Sequence, residues 1–166
     1  MNNNQNNKDM KEKILEAFRD LGFKLEEEEG MGYCFNYEGL NLLYMYNEND
    51  EEFLNIALPG IVEVEENKML QICALLEKIN STLKYVKTYM LGNSVWLFYE
   101  RELFGEEDLM TVISRMILHL EAGLAFARKA MAEIEETMAN DSSDDAAVDG
   151  AEEIVAEEIA DDEDNE

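Results

Sequence analysis

The chain has 166 residues, of which 39 are acidic and 13 are lysine or arginine, so its formal net charge is -26. Binding to nucleic acids and to anionic lipids depends on Lys and Arg, and a charge of this sign opposes both. The apolar runs are also shorter than the ~18 residues of a membrane-spanning helix. We therefore expect no nucleic-acid partner and no membrane partner.

Composition divides the chain into one domain with two appendages. All aromatic residues lie between Phe18 and Phe126, and a segment without them rarely forms a core. We predict a single folded domain at 9–139, a disordered Asn-rich N-terminus at 1–8 and a disordered acidic tail at 140–166. The first residues lack an apolar signal, and Cys34 and Cys73 form no C-x-x-C pair. We therefore expect a cytoplasmic protein with reduced, buried thiols.

The first half of the domain predicts a helix followed by three strands. Asp9 and Glu12 form a capping box, and apolar residues then recur at helical spacing until Gly22 offers a C-terminal stop. The third strand is expected to end at Pro59, because proline cannot donate to a sheet. The glutamates at 26–29 are interpreted as a solvated loop. The predicted helix and strands occupy 9–22, 33–37, 40–46 and 53–58, with 61–64 as a brief continuation of the edge.

The second half predicts a helix at 66–82, a hairpin and a long final helix. Gly92-Asn93 is the glycine-first pair of a type II′ turn, and it joins strands at 85–91 and 94–100. The final helix continues to 138 and is ~45 Å long at the standard rise, which exceeds a small sheet. The fold class is α+β, in the order α-β-β-β-α-β-β-α, with a small antiparallel sheet packed by helices. The apolar stripe of the helix at 66–82 consists of Met69, Ile72, Cys73, Leu76, Ile79 and Leu83.

Residues that carry catalytic or metal chemistry are few. His119 is the only histidine, and no Ser or Cys nucleophile motif accompanies it. A zinc site needs about four nitrogen or sulfur donors, and one histidine with two separated cysteines falls short of that number. We therefore expect no enzyme activity, no cofactor and no metal.

The strands are apolar on both faces, which is the main indication of a binding surface. Tyr44 and Tyr46 share one face of their strand, and Trp96 and Phe98 share one face of theirs. Helices cover one side of such a sheet, and an apolar second side favours a partner protein. Alternatively, the long helix or the Glu-rich loop covers the second side.

Two further segments offer candidate contacts. Small residues in the last helix would let another backbone approach closely, as in a homodimer; alternatively, this stretch is simply a good helix former with a solvated outer half. The tail repeats Ala-Glu-Glu-Ile, and such a segment either folds onto a basic-rimmed groove or only keeps the chain soluble. The candidate residues are Leu120, Gly123, Leu124, Ala127 and Met131 in the helix, and Ile154, Val155 and Ile159 in the tail.

The second half of the domain resembles the YbjN family within the type III secretion chaperone-like fold. Leu-Glu-Lys-Ile-Asn at 76–80 leads into Tyr-Val-Lys-Thr-Tyr at 85–89, and Val-Trp-Leu-Phe-Tyr-Glu at 95–100 precedes a long closing helix. In that family a helix with an asparagine near its end similarly enters a hairpin whose second strand ends in an acidic residue. The resemblance covers about 11–136. It implies a small acidic cytoplasmic protein, often a homodimer, that binds extended protein segments or acts as a regulatory adaptor.

The leading hypothesis is a non-enzymatic, chaperone-like or adaptor module that binds an apolar or extended segment of a partner on its sheet and long-helix surface. The alternative is a regulatory protein whose acidic tail engages basic partners. The tail and the length of the final helix differ from the family pattern.

Overall fold

The computed structural model describes residues 9–161, with side chains described for residues 9–140. Residues 1–8 lie outside the described residues, and the disorder predicted for 140–166 stays a prediction. The α+β fold class is confirmed, with three α-helices and one six-stranded antiparallel sheet. The elements are α1 (Met10–Asp20), β1 (Glu26–Glu28), β2 (Gly32–Tyr37), β3 (Leu40–Met45), β4 (Phe53–Glu63), a 3-10 turn (Glu66–Lys68), α2 (Met69–Thr82), β5 (Val86–Leu91), β6 (Ser94–Glu102) and α3 (Leu109–Asp161).

The strands follow the order β1-β2-β3-β4-β6-β5, so β1 and β5 are the two edges of the sheet. In the β5–β6 hairpin Leu91 lies opposite Ser94, and Gly92 has a φ of 63°. That positive φ belongs to the first central residue of a type II′ turn, as predicted. At the start of α1, Asp9 Oδ1 accepts a hydrogen bond from the Lys11 N–H at 3.3 Å, whereas Glu12 pairs with Arg19 instead of completing the capping box.

Two local predictions about strands were wrong. The glutamate run predicted as a loop forms β1, with Glu26 opposite Cys34, because backbone pairing with β2 leaves the exposed carboxylates in solvent. Strand β4 also does not end at Pro59 but runs on to Glu63. Its register with β6 shifts between Leu58 and Val62, and such a bulge accommodates a proline that cannot donate.

The three helices contribute to one core cluster, and the strand residues in that cluster all lie on one face of the sheet. Phe18 of α1 illustrates the packing, because its ring centroid lies 4.8 Å from that of Phe35 and 5.6 Å from that of Tyr44. We call this side the helix-covered face. Its central strand residues are Phe35, Leu42, Tyr44, Leu54, Ile56, Leu58, Val86 and Leu97.

Helix α3 lies close against the sheet at Gly123. A Cβ atom there would lie 3.3 Å from Val86 Cγ1 and 3.4 Å from Leu97 Cδ1. Leu120 is fully buried beside it in the same core. Gly123 thus packs α3 onto its own sheet, and Leu120 and Gly123 are buried within the described domain.

The apolar stripe of α2 was predicted with the wrong rotation. Ile72, Leu75 and Ile79 are buried, whereas Met69 and Cys73 are exposed. The Cys73 thiol is therefore not a buried thiol, since the contacts of α2 with α3 and β5 select a neighbouring stripe of the same helix. Several apolar stripes are available on α2, and periodicity alone does not choose between them.

Asn80 joins the end of α2 to the edge strand β5. Its Nδ2 donates to the Thr88 carbonyl at 2.9 Å, and its Oδ1 accepts from the Thr88 N–H at 2.8 Å. A carboxamide that pairs with both backbone groups of one residue acts as a neighbouring strand does at that point. This asparagine therefore closes the edge of β5 at Thr88 to another strand.

The segment Leu109–Asn140 of α3 is long and apolar enough to cross a membrane by length and composition. This corrects the expectation that no apolar run reaches that length. The apolar residues of this segment include Ile113, Met116, Ile117 and Leu120, which are buried in the helix-covered core. Packing against the sheet therefore accounts for these four residues, and 39% of the apolar window is buried.

Replacing Gly123 tests whether it packs on its own sheet. We expect Gly123→Val to lower the free energy of unfolding by about 2 kcal/mol, because the added atoms collide with Val86 and Leu97. The control is Ala122→Val at the exposed neighbouring position, which should cost only about 0.5 kcal/mol of helix propensity. Urea unfolding measures both, and equal effects of the two variants would contradict the packing.

Removing the Asn80 carboxamide tests its role at the sheet edge. We expect Asn80→Ala to lower the free energy of unfolding by about 2 kcal/mol, because Thr88 loses partners for its N–H and its carbonyl. Ser81→Ala is the control, since Ser81 is exposed and makes only a 3.4 Å contact within its own helix. An unfolding free energy that stays unchanged in Asn80→Ala would refute this role.

Candidate functional site

The face of the sheet opposite the helices is the candidate site, and we call it the open face. The strand register aligns Leu43, Ala57, Phe98 and Lys87 in one row across four strands. None of these side chains belongs to the helix-covered core cluster, but Leu43, Ala57 and Phe98 are buried and only Lys87 is exposed. Around the row lie large apolar residues that are about two-fifths exposed, Met31 at 41%, Phe53 at 41% and Tyr89 at 42%.

A flat aromatic layer covers the hairpin end of the open face. Tyr89 stacks on Phe98 with ring centroids 4.0 Å apart and an interplanar angle of 3°, and Trp96 lies 6.0 Å from Phe98 at 14°. Trp96 is half-buried, and its Nε1 donates to Ser94 Oγ at 2.9 Å. Phe98 itself is fully buried. Of the two predicted binding residues on this strand, Trp96 therefore reaches the surface, and Phe98 supports Tyr89.

Tyr44 and Tyr46 lie on the helix-covered face, so they do not share a surface with Trp96. Tyr44 is buried in the core, and this burial raises its pKa. Tyr46 lies at the rim, where its hydroxyl donates to Glu51 Oε1 at 3.1 Å and Lys11 Nζ lies 4.2 Å from its ring centroid. Burial, the hydrogen bond and the charge of Glu51 raise the pKa of Tyr46 to about 12.

Three of the candidate residues of α3 line a groove, and the predicted dimer contact stays a prediction. Leu124, Ala127 and Met131 lie across from Ile61 and Val62 of β4, in a groove of about 230 Å³. Arg128 and Glu135 lie at the same groove. The tail candidates Ile154, Val155 and Ile159 lie outside the residues whose side chains are described.

His119 is held by packing. Its Nδ1 lies 2.6 Å from the Arg115 carbonyl oxygen, and its ring meets the rings of Tyr85 and Tyr99 edge-on at 5.1 and 5.6 Å. These contacts give the histidine a structural role on the flank of α3. The prediction that the protein is not an enzyme stays a prediction.

A polar cluster interrupts the apolar open face, and sequence reasoning missed it. Glu100 Oε1 accepts a hydrogen bond from Asn55 Nδ2 at 3.0 Å, and Glu100 Oε2 accepts from Lys87 Nζ at 2.7 Å. Among the described side chains, Asn55 Oδ1 is a buried atom without a hydrogen-bond partner. Asn55 lies in an otherwise apolar strand, which is the signal that could have identified it.

A cleft of about 280 Å³ adjoins this cluster at the end of the sheet. Asn55 and Glu100 form one wall, and the β1–β2 turn, the β3–β4 loop and the adjoining ends of β3 and β4 form the others. The lining residues are Gly30, Met31, Met45, Tyr46, Asn47, Asp50, Phe53, Asn55 and Glu100.

The unpaired oxygen of Asn55 has a measurable consequence for stability. We expect Asn55→Leu to raise the free energy of unfolding by about 1 kcal/mol, because it removes a buried acceptor that has no partner, while Glu100, which loses the Asn55 Nδ2 donor, keeps Lys87 Nζ at 2.7 Å. Asn41→Leu, also on the sheet, is the control, since Asn41 Oδ1 accepts from Asn36 Nδ2 at 3.1 Å. Urea unfolding compares them, and a loss of stability in Asn55→Leu equal to that in Asn41→Leu would count against this interpretation.

Comparison with known proteins supports the fold. No protein-family model and no curated protein sequence matches the chain. The crystal structure of YbjN from E. coli is similar, with a TM-score of 0.55, 14% identity and coverage of 71% of this chain and 90% of YbjN. An uncharacterized protein from Methanothermobacter thermautotrophicus gives a TM-score of 0.48 at 18% identity, covering 77% of this chain and 98% of that one. The fold of this chain is YbjN-like.

Proposed function

We propose that this protein is a non-enzymatic binding module, chaperone-like or an adaptor, that holds an extended segment of a partner protein on its open face. The observation that carries the proposal is the exposed apolar and aromatic surface on a sheet whose helices pack on the other side. Soluble domains rarely expose contiguous apolar surface without using it. Cytoplasmic location and a homodimer are further parts of the proposal.

The geometry of the sheet favours a segment that lies across the strands. The Asn80 side chain is hydrogen-bonded to the N–H and the carbonyl of Thr88. These two backbone groups are therefore not available to a partner strand at the β5 edge. At ~4.8 Å between strands, a six-stranded sheet is about 24 Å wide, which an extended segment of about seven residues spans. The aromatic layer of Tyr89 and Trp96 lies within that path.

The negative net charge of the chain favours a protein as the partner and disfavours a nucleic acid. The role suggested for YbjN is regulation of transcription. A chain with a net charge of -26 opposes the phosphate contacts on which direct DNA binding depends. If this protein has a regulatory role, we propose that it acts through another protein.

Site-specific photo-crosslinking in the native cell tests the proposal. A benzophenone amino acid replaces Tyr89 on the open face, and in a matched variant it replaces Leu118, which is exposed on α3. We expect a defined crosslinked protein from the Tyr89 position and none from the Leu118 position, because the open face binds the partner.

The sole tryptophan supplies an independent readout. Trp96 is half-buried at the open face, so its emission should shift when the crosslinked partner, once purified, is added. Crosslinks of equal yield at both positions, or a partner that leaves Trp96 emission unchanged, would count against binding at this face.

A further inference from the structure

The cleft at the end of the open face has the chemistry of a site for a cation. Among the residues whose side chains are described, Asp50 and Glu100 are its charged lining residues and no Lys or Arg lines it. Asn55 adds a buried carbonyl oxygen that accepts no hydrogen bond from the described side chains. An occupant that donates several hydrogen bonds and carries positive charge therefore matches the polar wall.

The other walls of the cleft are apolar. Met31, Met45 and Phe53 line it, and Met31 and Phe53 are each 41% exposed. An occupant that combines a cationic head with an apolar stem matches both walls at once. At about 280 Å³ the cleft is smaller than the about 300–1,000 Å³ of typical cofactor pockets, and its size suits one long side chain.

We propose that this cleft binds an arginine side chain of the partner segment that lies on the open face. The inference rests on the proposed function and names the chemistry of the partner. The guanidinium is planar, carries five N–H donors and stacks on aromatic rings, so it can pair with Glu100 while its stem contacts Phe53. A lysine ammonium is more strongly hydrated and lacks this planar fork.

Charge excludes two other occupants of the cleft. The segment at 140–166 contains no Lys or Arg and is strongly acidic, so the carboxylates of the cleft repel it. A second copy of the chain carries a net charge of -26 and is disfavoured at this acidic cleft, so the proposed homodimer uses another surface. The negative potential of this chain attracts a basic segment from a different protein.

Lys87 already occupies the outer side of this acidic wall. Its Nζ lies 2.7 Å from Glu100 Oε2, and its side chain is 64% exposed. The lysine thus competes with an incoming guanidinium for Glu100. Removing Lys87 should therefore improve binding, an outcome that a variant with a damaged fold does not give.

The test uses a labelled short peptide of alternating valine and threonine with one central arginine. The same peptide with lysine or with uncharged citrulline at the centre, and free arginine amide, are the comparison ligands. Fluorescence anisotropy of the label measures affinity, and Trp96 emission reports contact with the open face. We expect the arginine peptide to bind about tenfold more tightly than the citrulline peptide.

Matched variants of the full chain locate the contact. Glu100→Gln should weaken binding of the arginine peptide about tenfold and leave the citrulline peptide unchanged. Lys87→Met should tighten binding of the arginine peptide about threefold. The controls carry the same changes of charge at exposed positions outside the cleft, Glu63→Gln and Lys84→Met, and should have no effect.

The outcomes separate this inference from the proposed function. If arginine, lysine and citrulline peptides bind alike and Glu100→Gln changes nothing, the cleft assignment is overturned and binding at the open face stands. If arginine amide binds as tightly as the peptide, the assignment to a partner segment is overturned. If no peptide binds or shifts Trp96 emission, both proposals are overturned.

Discussion

Gly123 of α3 lies directly against Val86 and Leu97 of the β5–β6 hairpin, and this contact is the constraint on which the other features depend. Without a side chain at that position, the helix can lie close to the sheet and bury Leu120 and Ala127. Helices α1 and α2 then pack against α3 on the same side. Since strand residues alternate between faces, the apolar residues of the second face remain outside this core.

The open face that results has restricted access. The Asn80 carboxamide closes the β5 edge at Thr88, which disfavours an added strand at that position and favours contact across the side chains. The stacked layer of Tyr89 on Phe98 offers a flat contact area, and Glu100 with Asn55 forms the polar interruption at the other end. The open face combines an apolar area with one acidic cleft. These features suit an extended, apolar partner segment that contains one cationic side chain.

The structure confirms the fold that the resemblance to the YbjN family implied. It also shows what two of the residues that carried the resemblance do. The asparagine at the end of the second helix and the acidic residue near the end of the hairpin carried the resemblance, and here they are Asn80 and Glu100. The structure gives each a physical role, one at the sheet edge and one in the polar cluster. With 14% identity to YbjN, the similarity concerns the fold alone.

The sequence by itself determined the element types and most of their order, because helical spacing, alternation and the Gly92-Asn93 turn are local signals. It also singled out Trp96 as a surface residue of the sheet. Only the tertiary structure decided that Glu26–Glu28 pairs as a strand, that Cys73 faces outward and that Leu120 and Gly123 pack inward. The same holds for the hydrogen bond between Asn55 and Glu100, which are 45 residues apart. Pairing partners, helix rotation and the choice of covered face depend on residues distant in the chain, and local pattern does not contain them.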